Sequence, residues 1–130
     1  MDYKTYNSIA LAFLGDAVYE RFIRERILRH GSVGADRMHK EAVHYVKAAA
    51  QEHVLRAMMD SLTETEADVV RHARNHKITS KPKNADPLTY KMATAFEALL
   101  GYLYLSGQKE RLTEIMEQAA AIVEEQEHHE

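Results

Sequence analysis

The stretch from Met92 to Leu105, MATAFEALLGYLYL, carries a single charge in fourteen residues, at Glu97. It shows no strand alternation, and a helix that is apolar on all sides belongs in a protein core. Ser106-Gly107 ends it. Working outward, the only prolines are Pro82 and Pro87, both beside a basic segment, and the remaining chain has helical period. Asn7 or Ser8 caps a first helix that runs toward His30, with Gly31 as its stop. Gly34-Ala35-Asp36 opens a second helical run that extends through Met59. Thr63 with Glu66 forms a capping box for a helix from Glu64 to about Ala73. Residues 75–87 read as a polar loop, the core helix begins near Leu88, and a last helix covers Lys109 to about Glu124. The expectation is one all-α domain over residues 1–130, with 121–130 as a frayed tail.

The chain has 130 residues, 45% of them hydrophobic, which suffices for one core. It has no cysteine, so disulfides and thiolate metal sites are excluded. No apolar run reaches the roughly 20 residues that span a bilayer, and Met1-Asp2-Tyr3-Lys4 lacks a signal-peptide pattern. A cytoplasmic protein with no membrane partner is expected. The net charge of −3 conceals a local excess. Arg71, Arg74, Lys77, Lys81 and Lys83 fall in one segment without an acidic residue, so a basic loop sits on an acidic body.

Two carboxylates stand out. At about 100° per residue, Asp16 falls on the same helical stripe as Ile9, Ala12, Ile23 and Ile27, and Glu20 lies one turn on, on nearly the same face. Glu97 sits inside the apolar helix, flanked at one turn on each side by Ala93 and Gly101. These small residues leave room for a second helix or for an ion with its waters. A buried acid must be paired, protonated or bound to a metal. Two alternatives need no metal: Asp16 capping a helix that starts after Gly15, and Glu97 pairing with an arginine between Arg21 and Arg26. An oxygen-only set suits Mg²⁺, which keeps several waters and needs one or two carboxylates. Combined with a loop that attracts polyanions, Mg²⁺ points to phosphodiester hydrolysis. The Glu-x-x-His spacings at Glu41/His44 and Glu125/His128 are set aside as chance matches to a di-iron motif.

LAFLGDAVYE (Leu11–Glu20) resembles the signature of the ribonuclease III family, of the form LEFLGDAVL. ATAFEALLGYLYL (Ala93–Leu105) resembles that family's second acidic motif, of the form D-x-x-EALIGA. With RHARN (Arg71–Asn75) and KPKNAD (Lys81–Asp86), the wording is most similar to the Mini-ribonuclease III branch, a compact bacterial group without a double-stranded-RNA-binding domain. The resemblance covers nearly the whole chain. It implies an all-α endonuclease domain that forms a homodimer through the signature helix and cuts double-stranded RNA. It also implies products with a 5′-phosphate and a 3′-hydroxyl. Asp16 and Glu97 match the family's catalytic, metal-binding acids, with Mg²⁺ as cofactor and Mn²⁺ as a substitute. Other family acids are replaced here by Ile9, Ala12 and Thr94, losses expected to be shared by this branch, and Glu20 remains as a possible helper ligand. The implied task is maturation of the ends of large-subunit (23S) ribosomal RNA precursors, aided by a large-subunit ribosomal protein. The rival reading is a non-catalytic scaffold of the same fold that binds RNA or ribosomes.

RNA recognition without an added domain falls to the basic segment. A-form RNA presents phosphates and 2′-hydroxyls rather than readable bases. Arg71, Arg74, Lys77, Lys81 and Lys83 are expected to meet phosphates, and Asn75 and Asn84 to reach sugars.

Overall fold

A computed structural model describes residues 6–31, 33–76 and 83–128. Among them every regular element is helical. Helix α1 (Ser8–Arg29) opens on Asn7, whose side-chain oxygen accepts from the Ala10 N–H at 2.8 Å, and it closes on His30. Helix α4 (Glu64–Arg74) carries the expected capping box: the Glu66 N–H donates to Thr63 Oγ1 at 3.1 Å, and the Thr63 N–H donates to Glu66 Oε1 at 2.9 Å. Helix α5 (Pro87–Leu105) starts one residue before the expected Leu88. Asp86 caps it through the Leu88 and Thr89 N–H groups, and Pro87 fits a first-turn position that needs no donor.

The run expected from Ala35 to Met59 is two helices, α2 (Ala35–Val46) and α3 (Ala48–Met58), followed by one 3₁₀ turn (Met59–Ser61). Lys47 breaks it in an extended conformation, φ −62° and ψ 150°. No glycine or proline marks the bend, so it left no local signature. Its cause is tertiary: α2 packs toward α1 and α6, while α3 packs on α5.

Helix α6 (Lys109–His128) runs four residues beyond the expected end, because its last turns are anchored. Val123 is buried. Arg26 grips both oxygens of Glu124 at 2.8 Å, and the Tyr45 hydroxyl donates to the same carboxylate at 2.7 Å. The other end is held as firmly, since Arg111 donates to both oxygens of Glu66 at 2.8 Å and to the Ser61 carbonyl at 3.1 Å.

Helix α5 is the central rod. From Met92 to Leu103 every residue but Glu97 is buried, against α1, α3, α4 and α6. The closest seam joins α1 and α5, which run antiparallel. A Cβ on Gly15 would lie 1.7 Å from the Glu97 carbonyl oxygen, and one on Gly101 would lie 2.0 Å from the Leu11 carbonyl oxygen. Those two glycines let the backbones meet. No helix among the described residues is long and apolar enough to cross a membrane.

Candidate metal and RNA-binding site

The tight seam puts Asp16, next to Gly15, beside Glu97 on the facing helix. The Asp16 carboxyl is within hydrogen-bonding reach of the Glu97 carboxyl. Burial pushes Glu97 up to about 8. The negative charge of Asp16 and the hydrogen bond with it push the same way, and the charge of Glu20 adds a little. Opposing them, Gln51 Nε2 donates to Glu97 Oε2 at 3.4 Å.

Both metal-free alternatives fail on geometry. Asp16 is in mid-helix, since α1 is continuous from Ser8, so it caps nothing. The arginines Arg21, Arg24 and Arg26 pair with Glu25, Glu20 and Glu124 respectively. Among the described residues no lysine or arginine pairs with Asp16 or Glu97.

The expected apolar stripe around Asp16 needs correction. The buried line of α1 passes through Leu11, Gly15, Tyr19, Ile23 and Ile27, whereas Asp16 and Ile9 are exposed. The α1–α5 contact centres on Gly15, and Asp16 lies one residue round from it, on the rim. The site is therefore one half-buried acid and one exposed acid at the mouth of a helix seam. Such a mouth is open to solvent on the Asp16 side.

The donor set fits a hard divalent cation. All its groups are oxygens, two carboxylates crowd together without a counter-cation, and the adjacent buried Gln51 Oε1 has no hydrogen-bond partner. Glu20 is bonded to Arg24 at 3.2 Å and acts on Glu97 through its charge alone. Among the described residues no three His, Asp or Glu side chains converge as a metal cage. Thr94 and Ala12, the replaced positions nearest the two acids in sequence, are buried.

The basic segment begins at the end of α4. Arg71 is exposed and pairs with Asp68, an acid outside the segment that offsets part of its charge. Arg74 is half-buried, and Asn75 is the exposed C-cap of α4. Lys83 and Asn84 are exposed, and Asn84 adopts φ 73°, a left-handed turn that asparagine tolerates. Lys77 and Lys81 lie outside the described residues.

A family model, the Ribonuclease III domain, matches residues 9–108, a span that holds both acids and the basic segment. The chain belongs to the ribonuclease III family. Curated relatives named Mini-ribonuclease 3 include one from Symbiobacterium thermophilum, 51% identical over 92% of each chain. Another, from Brevibacillus brevis, is 52% identical over 91% of this chain and 88% of its own. A solved protein from Fusobacterium nucleatum superposes with a TM-score of 0.77 at 31% identity, covering 86% of this chain and 89% of that one. As a ribonuclease III of this kind, the chain is a double-strand-specific endoribonuclease.

Two features of this ribonuclease III were missed in the sequence. Gly15 carries the helix contact that sets Asp16 against Glu97. Its signal was present, as a glycine inside a helical run with no turn to explain it. Gln51 touches Glu97 from a third helix and had no signal, because 46 residues separate the two.

Proposed function

We infer that the protein is a Mg²⁺-dependent endoribonuclease, with Mn²⁺ able to substitute, that uses Asp16 and Glu97 to hold the ion. The observation that carries this is the pairing of two carboxylates across the α1–α5 seam with no basic partner among the described residues. The bound ion would supply a Lewis acid for the scissile phosphate and a water of lowered pKa. The chain's own part is to orient that charge. Asp16 presents a carboxylate at the rim, Glu97 presents one from the core helix, and Gly15 fixes their spacing. Arg71, Arg74 and Lys83, with Lys77 and Lys81, bind the RNA phosphates, while Asn75 and Asn84 meet the sugars, so duplex RNA binding weakens steeply with salt. Products carry a 5′-phosphate and a 3′-hydroxyl. The substrate is a precursor of large-subunit (23S) ribosomal RNA in the cytoplasm, met with the help of a large-subunit ribosomal protein.

A homodimer is part of this reading. Tyr6, Ile9 and Phe13 form an exposed stripe at helical spacing on and just before α1, with Phe13 83% exposed. An apolar stripe of this kind suits a symmetric helix–helix contact.

Cleavage of a long duplex RNA with Mg²⁺ tests the site, beside EDTA and an Asp16→Asn/Glu97→Gln double variant. Cutting should disappear in both controls while the variant still binds duplex RNA. Cutting that survives the double variant would place the chemistry elsewhere.

A further inference from the structure

Gln51, in the first turn of α3, is only 2% exposed. A buried primary amide has two N–H donors and one carbonyl acceptor to satisfy. Gln51 Nε2 lies 2.9 Å from the Val46 carbonyl oxygen, which only accepts, so that contact fixes which end of the amide is the nitrogen. The second N–H points to Glu97 Oε2 at 3.4 Å. The amide oxygen is sealed from solvent and meets no donor. The side chain thus bridges the break between α2 and α3 to the acid of the core helix, and one polar atom is left over beside the site.

We propose that Gln51 is a positioning residue of the metal site: anchored on the Val46 carbonyl, it holds one oxygen of Glu97 in place and so presents the carboxylate to a divalent cation. Its unpartnered carbonyl oxygen is the acceptor left for a water that arrives with the ion. This rests on the reading that Asp16 and Glu97 bind metal. A purely structural amide, tying α2 to α3 through Val46, would influence stability and leave ion affinity alone. Groups that orient a metal-holding side chain typically contribute 10–100-fold to ion affinity.

The test measures Mn²⁺ binding by water-proton relaxation, without RNA, in the wild-type chain and in Gln51→Met, which keeps length and volume while removing both donors and the acceptor. The expected result is Mn²⁺ affinity weakened by roughly tenfold, with duplex RNA affinity in EDTA unchanged. A folded variant with wild-type Mn²⁺ affinity overturns the proposal. Should the variant not fold, the wild-type protein decides. Saturation with Mg²⁺ must move the Gln51 side-chain NH₂ resonances together with the Glu97 carboxyl signal, and stationary amide resonances overturn the proposal. A wild-type chain that binds no Mn²⁺ overturns the metal reading itself, and this proposal with it.

Discussion

At the scale of single residues, the site depends on two that have no side chain to contribute. Gly15 and Gly101 let the α1 and α5 backbones approach until a carbonyl occupies the space of a Cβ. Neither contact is with a flexible side chain that would swing aside. Gly101→Ala is therefore expected to destabilise the fold by about 3 kcal/mol, the upper part of the range for overpacked cores, as measured by urea denaturation. Because the separation of the helices also sets Asp16 against Glu97, the variant should lose cleavage even under conditions where it remains folded. Full activity and stability in Gly101→Ala would show that the seam tolerates expansion. Of the candidate site, the two acids that meet across the seam, Asp16 and Glu97, stood out in the sequence because acids inside motif-bearing apolar segments call for an explanation. The exposure of Asp16 was not legible, since a wheel gives an angle around one helix and not the position of its neighbour.

At the scale of elements, helices are joined by ionisable contacts of opposite sign. Glu66 joins α4 to Arg111 of α6, and Glu124 joins α6 to Arg26 of α1. Their arginines hold both carboxylates below the usual 4.5, so their contribution is present above that value and lost as pH falls through the folded one. Glu97, on the α1–α5 seam, works the other way. Its carboxyl is raised to about 8, so its contribution is present below 4.5 and is lost as pH rises toward 8, by at most ~1.4 kcal/mol per pH unit. Metal-free protein should therefore show an acid limb from the arginine pairs and an alkaline limb from Glu97 in urea denaturation at a series of pH values. Glu97→Gln should flatten the alkaline limb alone, and Mg²⁺ should counter it in the wild type by binding the ionised form. An alkaline limb of unchanged slope in Glu97→Gln would assign it to another group. The element boundaries were largely legible, because Asn7 and Thr63 with Glu66 are local devices that cap a helix wherever it goes, while the cap at Asp86 with Pro87 was read as loop and emerged from the structure. The Lys47 break was not, because its cause lies in the partners of α2 and α3.

At the scale of the whole molecule, the proposed reading divides the labour between an acidic body that would hold the ion and a basic segment that would meet the polyanion. In the proposed homodimer the exposed Phe13 stripe is the contact. Phe13→Asp would place a charge in a helix–helix contact, and it is expected to convert a dimer into a monomer in sedimentation equilibrium while the helical circular dichroism is kept. A wild-type chain that sediments as a monomer at micromolar concentration would remove the homodimer from the reading.

What the sequence determined by itself is what neighbouring residues determine: helices with their caps, a core rod with one acid in it, and a run of cations. Those properties follow from propensity, spacing and charge along the chain. The tertiary structure decided which helix lies against which, and with it the meeting of Asp16, Glu97 and Gln51 from three separate helices. Their contact depends on how closely two glycines let backbones approach, a distance between segments far apart in sequence that no local pattern encodes.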